Sequence, residues 1–189
     1  MRFEEKTFIL KDGREALLRI PNEADAEAML DYLRITAGET DFLLRYPEEC
    51  DKMYTLEGEK RIIERIVNSE NELMLVCTVD GEIAGACNLM FNTRMKTRHI
   101  AKVAIGNVKE YWGLGMGTRM MEELIAIAEK REGVIQLELE FIEGNHRARA
   151  LYEKLGFRIT GVHPNAIMLK DGTLLNDYLM ARPLKKSRK

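Results

Sequence analysis

Between Tyr111 and Thr118 glycine stands at every second position, Gly113, Gly115 and Gly117. An amphipathic run follows at once, with Met116, Met120, Leu124, Ile127 and Ala128 on one face. A glycine-rich junction ahead of such a run is read as a tight strand-to-helix turn. Successive glycines let the backbone aim its N–H groups one way, and no Cβ keeps a ligand off. At a helix start those amides also feel the positive end of the helix dipole, so the natural guest is a phosphate or pyrophosphate.

The surrounding pattern sets the architecture. Upstream, Phe8–Leu10 and Ala16–Ile20 flank a Lys11-Asp12-Gly13-Arg14 turn and are expected to form a hairpin. Helices are expected from Pro21 to about Ala37, with Gly38 as the stop, and from Leu56 to Ser69. The segment Glu39–Thr55 between them reads as a polar connection. Strands are expected at Leu73–Val79 and Ile83–Phe91 around the Asp80-Gly81 turn, and again at His99–Gly106. The glycine turn then opens a helix over Gly115–Arg131. Ile135–Glu140 alternates, setting Gln136, Glu138 and Glu140 on one strand face. A helix over Asn145–Leu155 follows, then strands near Phe157–Thr160, Ala166–Lys170 and Leu174–Met180. Hairpins combined with strand–helix–strand units imply an α/β domain, a mixed sheet covered by helices.

Composition excludes several function classes. A chain of 189 residues that is 46% hydrophobic and 32% charged suits one globular domain, expected over 1–189 with its core at about 8–182 and a basic tail at 185–189. A net charge of −2 gives no bulk attraction to nucleic acid or anionic lipid. No apolar run approaches the roughly twenty residues of a spanning helix. The three cysteines, Cys50, Cys77 and Cys87, have no metal-ligand spacing, so no metal is expected; an odd count without a disulfide framework suits a reducing cytoplasm. His99 and His146 read as structural or surface residues, and Met90, Met95 and Met168 as core filling. Competing phosphate motifs fit poorly. After Gly117 comes Thr118-Arg119 where a P-loop needs lysine, and the third glycine of a dinucleotide fingerprint is missing.

With Asn145 and the run Ala150-Leu151-Tyr152-Glu153-Lys154-Leu155-Gly156-Phe157, the turn resembles the paired motifs of the GNAT superfamily of acyl-CoA-dependent N-acyltransferases. The resemblance covers about Phe8 to Arg182 and implies a mixed, mostly antiparallel central sheet with helices on both faces. It further implies that Ile105, Gly106 and Asn107 on a splayed strand lend backbone groups to the pantetheine arm of acetyl-CoA. The backbone amides from Trp112 through Gly113, Leu114, Gly115, Met116 and Gly117 to Thr118 would hold the pyrophosphate. Asn145 would bond the cofactor or fix the loop beside it. Tyr152 matches the tyrosine that protonates the departing CoA thiolate, and Glu140 the general base of ribosomal-protein N-terminal acetyltransferases. Glu138 and Glu143 remain alternative bases. Trp112 stands where the family most often has Arg or Gln, and Lys102 where some relatives carry an acid.

Such groups meet the demands of acyl transfer to nitrogen. An alkylammonium has a pKa near ~10.4, so exposing its lone pair at pH 7 costs about 4–5 kcal/mol. A carboxylate base, backbone donors for the oxyanion and an acid for the thiolate lower the remaining barrier. The expected activity is therefore direct acetyl transfer from acetyl-CoA to the primary amine of a small molecule. An N-terminal protein acetyltransferase and a non-catalytic acetyl-CoA sensor are the alternatives. The acids of the Glu39–Thr55 connection (Glu39, Asp41, Glu48, Glu49 and Asp51) are expected to attract the amine, with Phe42, Tyr46 and Tyr54 as apolar walls. The Ile167–Leu175 hairpin would flank the same cleft. A homodimer is expected by family analogy alone.

Overall fold

A computed structural model describes residues 1–185; the remainder of the expected basic tail lies outside the described residues. The first hairpin joins β1 (Lys6–Ile9) and β2 (Glu15–Arg19). A single 3-10 turn at Glu23–Asp25 leads into α1 (Ala26–Glu39), and α2 (Pro47–Met53) and α3 (Leu56–Val67) follow. Strands β3 (Glu72–Val79), β4 (Glu82–Phe91) and β5 (Ile100–Asn107) then run to the glycine turn. The chain finishes with α4 (Met116–Lys130), β6 (Gln136–Ile142), α5 (His146–Lys154), β7 (Arg158–Met168) and β8 (Leu174–Pro183).

All strands join one eight-stranded sheet in the order β1-β2-β3-β4-β5-β6-β8-β7. Every neighbouring pair is antiparallel except β5 and β6, which are parallel. Strand β3 is the central wall, buried from Leu73 to Val79. Its alternate side chains serve two cores. Met74 and Val76 meet Met29 and Tyr32 of α1 and Ile63 and Ile66 of α3. Leu75 and Cys77 belong to the opposite core with Met120, Met121 and Leu124 of α4. Helices therefore cover both faces, as expected. A strand desolvated on both sides reads as an unbroken apolar run, which is how Leu73–Val79 appears in the sequence.

The helix boundaries have local causes. Asn22 and Asp25 cap the 3-10 turn reciprocally, and Arg19 grips Asp25 with two 2.7 Å bonds. Gly38 does not stop α1; the helix continues to Glu39 and ends where Thr40 turns extended. The glycine's neighbour across the turn is Pro47, whose Cγ would be in ordinary van der Waals contact, 3.6 Å away, with a Cβ at that position. The connection expected at Glu39–Thr55 contains α2, whose start has Pro47 in the first turn and Glu49 accepting from the Tyr46 N–H at 2.7 Å.

Two further expectations are corrected. The strands anticipated at Phe157–Thr160 and Ala166–Lys170 are parts of the one strand β7, interrupted by two register irregularities against β8. Pro164 is tolerated because β7 is the sheet's edge, and Asn165 absorbs the second irregularity with φ of 53°. Met90, Met95 and Met168 are exposed by 47%, 82% and 68%, so they do not fill the core. That role falls to methionines on inward faces, Met116, Met120 and Met121 of α4 among them.

Burial also sets a pH limit. Cys77 is fully buried and its thiol is pushed up from 9.0 to about 12 by desolvation; the Cys87 thiol beside it is raised for the same reason. Above pH 9 the unfolded chain releases these protons and the folded chain retains them, so stability falls as pH rises from 9 towards 12. The urea midpoint is expected to decline through that window. Cys77→Ala should flatten the decline, as measured by denaturation at successive pH values.

Candidate functional site

The site begins where two strands part. Strands β5 and β6 pair over only three positions, Ile100–Lys102 against Gln136–Glu138. Beyond them β5 keeps its partner β4 while β6 pairs with β8. The edge of Val103–Asn107 that faces β6 is left without a strand partner, so its backbone groups, apart from the Asn107 carbonyl that the Trp112 indole engages, are open to another hydrogen-bonding molecule. A cavity of about 1070 Å³ occupies the divergence, with residues 103–107 along one wall and Glu138–Phe141 along the other. Ile105, Gly106 and Asn107, which the family resemblance set on a splayed strand, all lie on that wall.

The glycine turn closes one end. Gly115 is the N-cap of α4 with φ of 95°, a left-handed conformation that a Cβ would strain, and Gly113 has φ of 78°. No side chain caps α4, so the amides of its first turn lack an intramolecular acceptor. Gly113, Gly115, Gly117 and Thr118 line the cavity. Leu114 and Met116 are turned the other way. Met116 is fully buried, Leu114 packs on the core, and the Leu114 carbonyl accepts from the Lys11 N–H at 3.1 Å. Only their backbones can serve a ligand. Gly117 is closely approached, since a Cβ there would sit 3.0 Å from Asn107 Nδ2 and the amide would have to give by a few tenths of an ångström.

Trp112 has a double role that the sequence did not reveal. Its indole Nε1–H donates to the Asn107 carbonyl at 2.8 Å, tying the turn to the end of β5. The guanidinium of Arg147, from the first turn of α5, lies over the indole face. Arg147 has no carboxylate within 4.0 Å among the described residues, and burial lowers its pKa. Lys11, Arg147 and Lys154 are basic residues of the cavity lining. The positive charge absent at the Trp112 position therefore arrives from another element. Its signal in the sequence was the basic residue two places after Asn145.

Tyr152 and Glu140 lie on the cavity wall at different depths. Tyr152 is buried between Phe141 and Phe157, and burial pushes its phenol up to about 12. It stays protonated across neutral pH, as a proton donor must. Glu140 is half exposed, with Lys102 Nζ at 3.8 Å. The alternative acids are engaged elsewhere. Glu138 lines the cavity but accepts from Gln136 Nε2 at 2.8 Å, and Glu143 accepts from the Asn176 N–H at 3.0 Å away from the cavity. Asp177 on β8 was not anticipated; burial and the nearby Glu140 charge raise its pKa. Neither His99 nor His146 reaches the cavity wall.

The acceptor end differs most from expectation. Glu39 accepts from the Lys109 N–H at 2.7 Å, Glu49 caps α2, Asp51 pairs with Arg34 at 2.6 Å, and Glu48 pairs with Lys170. None of these acids, nor Asp41, lines the cavity; Phe42, Leu43 and Arg45 from the same segment do. Tyr46 and Tyr54 are also off the wall. The β7–β8 hairpin is held against α2 by Lys170, whose N–H donates to the Tyr46 hydroxyl at 3.2 Å.

This geometry, a parted sheet with a glycine turn and an uncapped helix at the gap, defines an acyl-CoA transferase type of site. Residues 37–157 match the acetyltransferase (GNAT) family, and the chain belongs to that family of N-acyltransferases. It is 26% identical over 139 residues to the L-amino acid N-acetyltransferase AaaT of Escherichia coli (strain K12), a match covering 74% of this chain and 80% of that one. A GNAT-family acetyltransferase structure from Streptococcus pneumoniae superposes with a TM-score of 0.81 at 29% identity, covering 89% of this chain and 99% of that one. A Salmonella typhimurium structure with its cofactor acetyl-CoA shares the fold at a TM-score of 0.75 and 18% identity, covering 92% and 96%.

Asn145 shows how the second motif works locally. Its Oδ1 accepts from the Ala148 N–H at 3.1 Å, capping α5 beside the cavity. Asn145→Ala is expected to cost about 1 kcal/mol through the lost cap. Thermal melting should then show Tm lower by roughly 2–4 °C.

Proposed function

We propose that this chain transfers the acetyl group of acetyl-CoA to the primary amine of a small molecule by direct attack. One observation carries the reading. The uncapped start of α4, with its cationic neighbours, opens into the same cavity as the unpartnered edge of β5. A polyanionic pyrophosphate satisfies the first, and an amide-bearing arm such as pantetheine satisfies the second. When bound, acetyl-CoA supplies the thioester to be attacked.

The chain's own groups then divide the work. Amides of residues 112–118 hold phosphate oxygens, and Lys11, Arg147 and Lys154 neutralise their charge. Backbone donors on 105–107 orient the arm and offer a partner for the developing oxyanion. Glu140, at the mouth, takes the ammonium proton directly or through water, and Tyr152 protonates the leaving thiolate. The Escherichia coli relative is named for amino-acid acceptors, which favours a small molecule over a protein N-terminus. The three buried, unpaired cysteines suit a reducing cytoplasm.

The test is thiol release from acetyl-CoA with a panel of amines and peptides, with products identified by mass. Tyr152→Phe is expected to lower kcat by about 10²-fold. Glu140→Gln should lose about as much at neutral pH, and the loss should shrink as pH approaches the amine pKa, where the free amine needs no base. A pH profile of kcat/KM unchanged from wild type would remove Glu140 from the mechanism. Arg147→Ala should weaken acetyl-CoA binding by about 5- to 20-fold and make that binding less sensitive to salt, read by calorimetry at two ionic strengths.

A further inference from the structure

The acceptor end of the cavity is cationic where an amine-binding pocket would be acidic. The acids of the 39–55 segment are engaged with partners off the wall or, for Asp41, exposed away from it. Of the carboxylates that do line the cavity, Glu138 is held by Gln136 and Glu140 faces Lys102. Arg45 is half-buried on the wall, and no carboxylate lies within 4.0 Å of it among the described residues.

Arg45 is also held in place. Its Nε–H donates to the Leu33 carbonyl at 3.3 Å and its Nη2–H to Thr36 Oγ1 at 3.0 Å. Thr36 Oγ1 in turn donates to the Tyr32 carbonyl at 2.8 Å, and Thr36 is itself buried on the cavity wall. A guanidinium carries five N–H donors, so with two fixed to the scaffold three remain for a ligand. The position is close to the reacting end. Thr36, Arg45 and Gly106 line the same cavity, and Tyr32, one turn before Thr36 on α1, donates its hydroxyl to the Gly106 carbonyl at 2.9 Å. Phe42 and Leu43 stand beside it as apolar wall.

We infer that the acceptor bears a carboxylate close to its amine, as a free α-amino acid does, and that Arg45 is the specificity-determining residue that docks it. A planar guanidinium fixed on one side and free on the other recognises a carboxylate through paired, charge-assisted bonds. Docking the carboxylate there leaves the α-amine one carbon away, within the cavity that Glu140 and Gly106 share. A peptide N-terminus or a plain polyamine lacks this anion and leaves Arg45 unpaired. This inference rests on the acetyltransferase reading and narrows its substrate class.

The experiment compares free L-amino acids, their carboxamides and their decarboxylated amines as acceptors, in wild type and Arg45→Gln, at saturating acetyl-CoA. Wild type is expected to favour the acid over the matched amide by about 10–100-fold in kcat/KM, expressed mainly in KM. Arg45→Gln should bring that ratio close to one. A wild-type ratio of one or less, or the same ratio in the variant, overturns the assignment. Should Arg45→Gln not fold, the wild-type acid-to-amide ratio decides alone. Should no acceptor turn over, the acetyltransferase reading fails, and the carboxylate site is then tested by titrating N-acetyl amino acids and their amides into CoA-loaded wild-type protein. Preferential binding of the acids supports the site; equal binding, or none, overturns it.

Discussion

The molecule turns on the early parting of β5 and β6. Three parallel pairs hold the two strands at one end. Beyond them each strand is claimed by an antiparallel neighbour. An unpaired sheet edge inside a protein is ordinarily an unsatisfied cost. Here it becomes the wall of a cavity of about 1070 Å³. The glycine turn, α4 and α5 are all arranged around that gap.

The adjoining turn illustrates how one segment serves both packing and binding. Met116 and Leu114 anchor the turn in the core, and Gly113, Gly115 and Gly117, which alternate with them, keep the opposite side bare. Trp112 ties the turn to the end of β5, and Arg147 stacks on the indole's exposed face. Asn107, caught between these elements, has the one buried side-chain oxygen without a hydrogen-bond partner among the described residues. Such a group costs about 1–3 kcal/mol and is characteristic of places where packing yields to function. Hydrogen bonds and core contacts hold the junction from several elements at once.

Electrostatics reverse between what the 39–55 segment contains and what it presents. Read as composition, the segment is acidic. In the fold its acids face outward to Arg34, Lys170 and backbone N–H groups, and Arg45 faces the cavity. A count of charges in a loop therefore misjudges the field inside a pocket. Asp51 ties α2 to α1 and Glu48 ties it to the β7–β8 hairpin, while Glu39 and Glu49 bond backbone N–H groups, and the group left over sets the polarity that a ligand meets.

The sequence by itself determined the periodic and the local. The unbroken apolar run Leu73–Val79, the alternation in Ile135–Glu140, the Asp-Gly turns and the 3.6-residue spacing after Gly115 are written in neighbouring residues, because backbone geometry repeats over short spans. The glycine turn at a helix start was legible for the same reason, whereas Asn145, Tyr152 and Glu140 were singled out by the resemblance to a known family, and the α5 cap that Asn145 forms was not read from the sequence. Short or irregular elements were not legible. Helix α2 has only two turns, and β7 carries Gly161 and Pro164, which look like breaks until an edge position excuses them. Only tertiary structure decided which charges face the cavity, because Arg45, Arg147 and Lys11 reach it from segments far apart in the chain. Their directions follow from partners such as Leu33, Trp112 and Leu114, whose nearness no local pattern encodes.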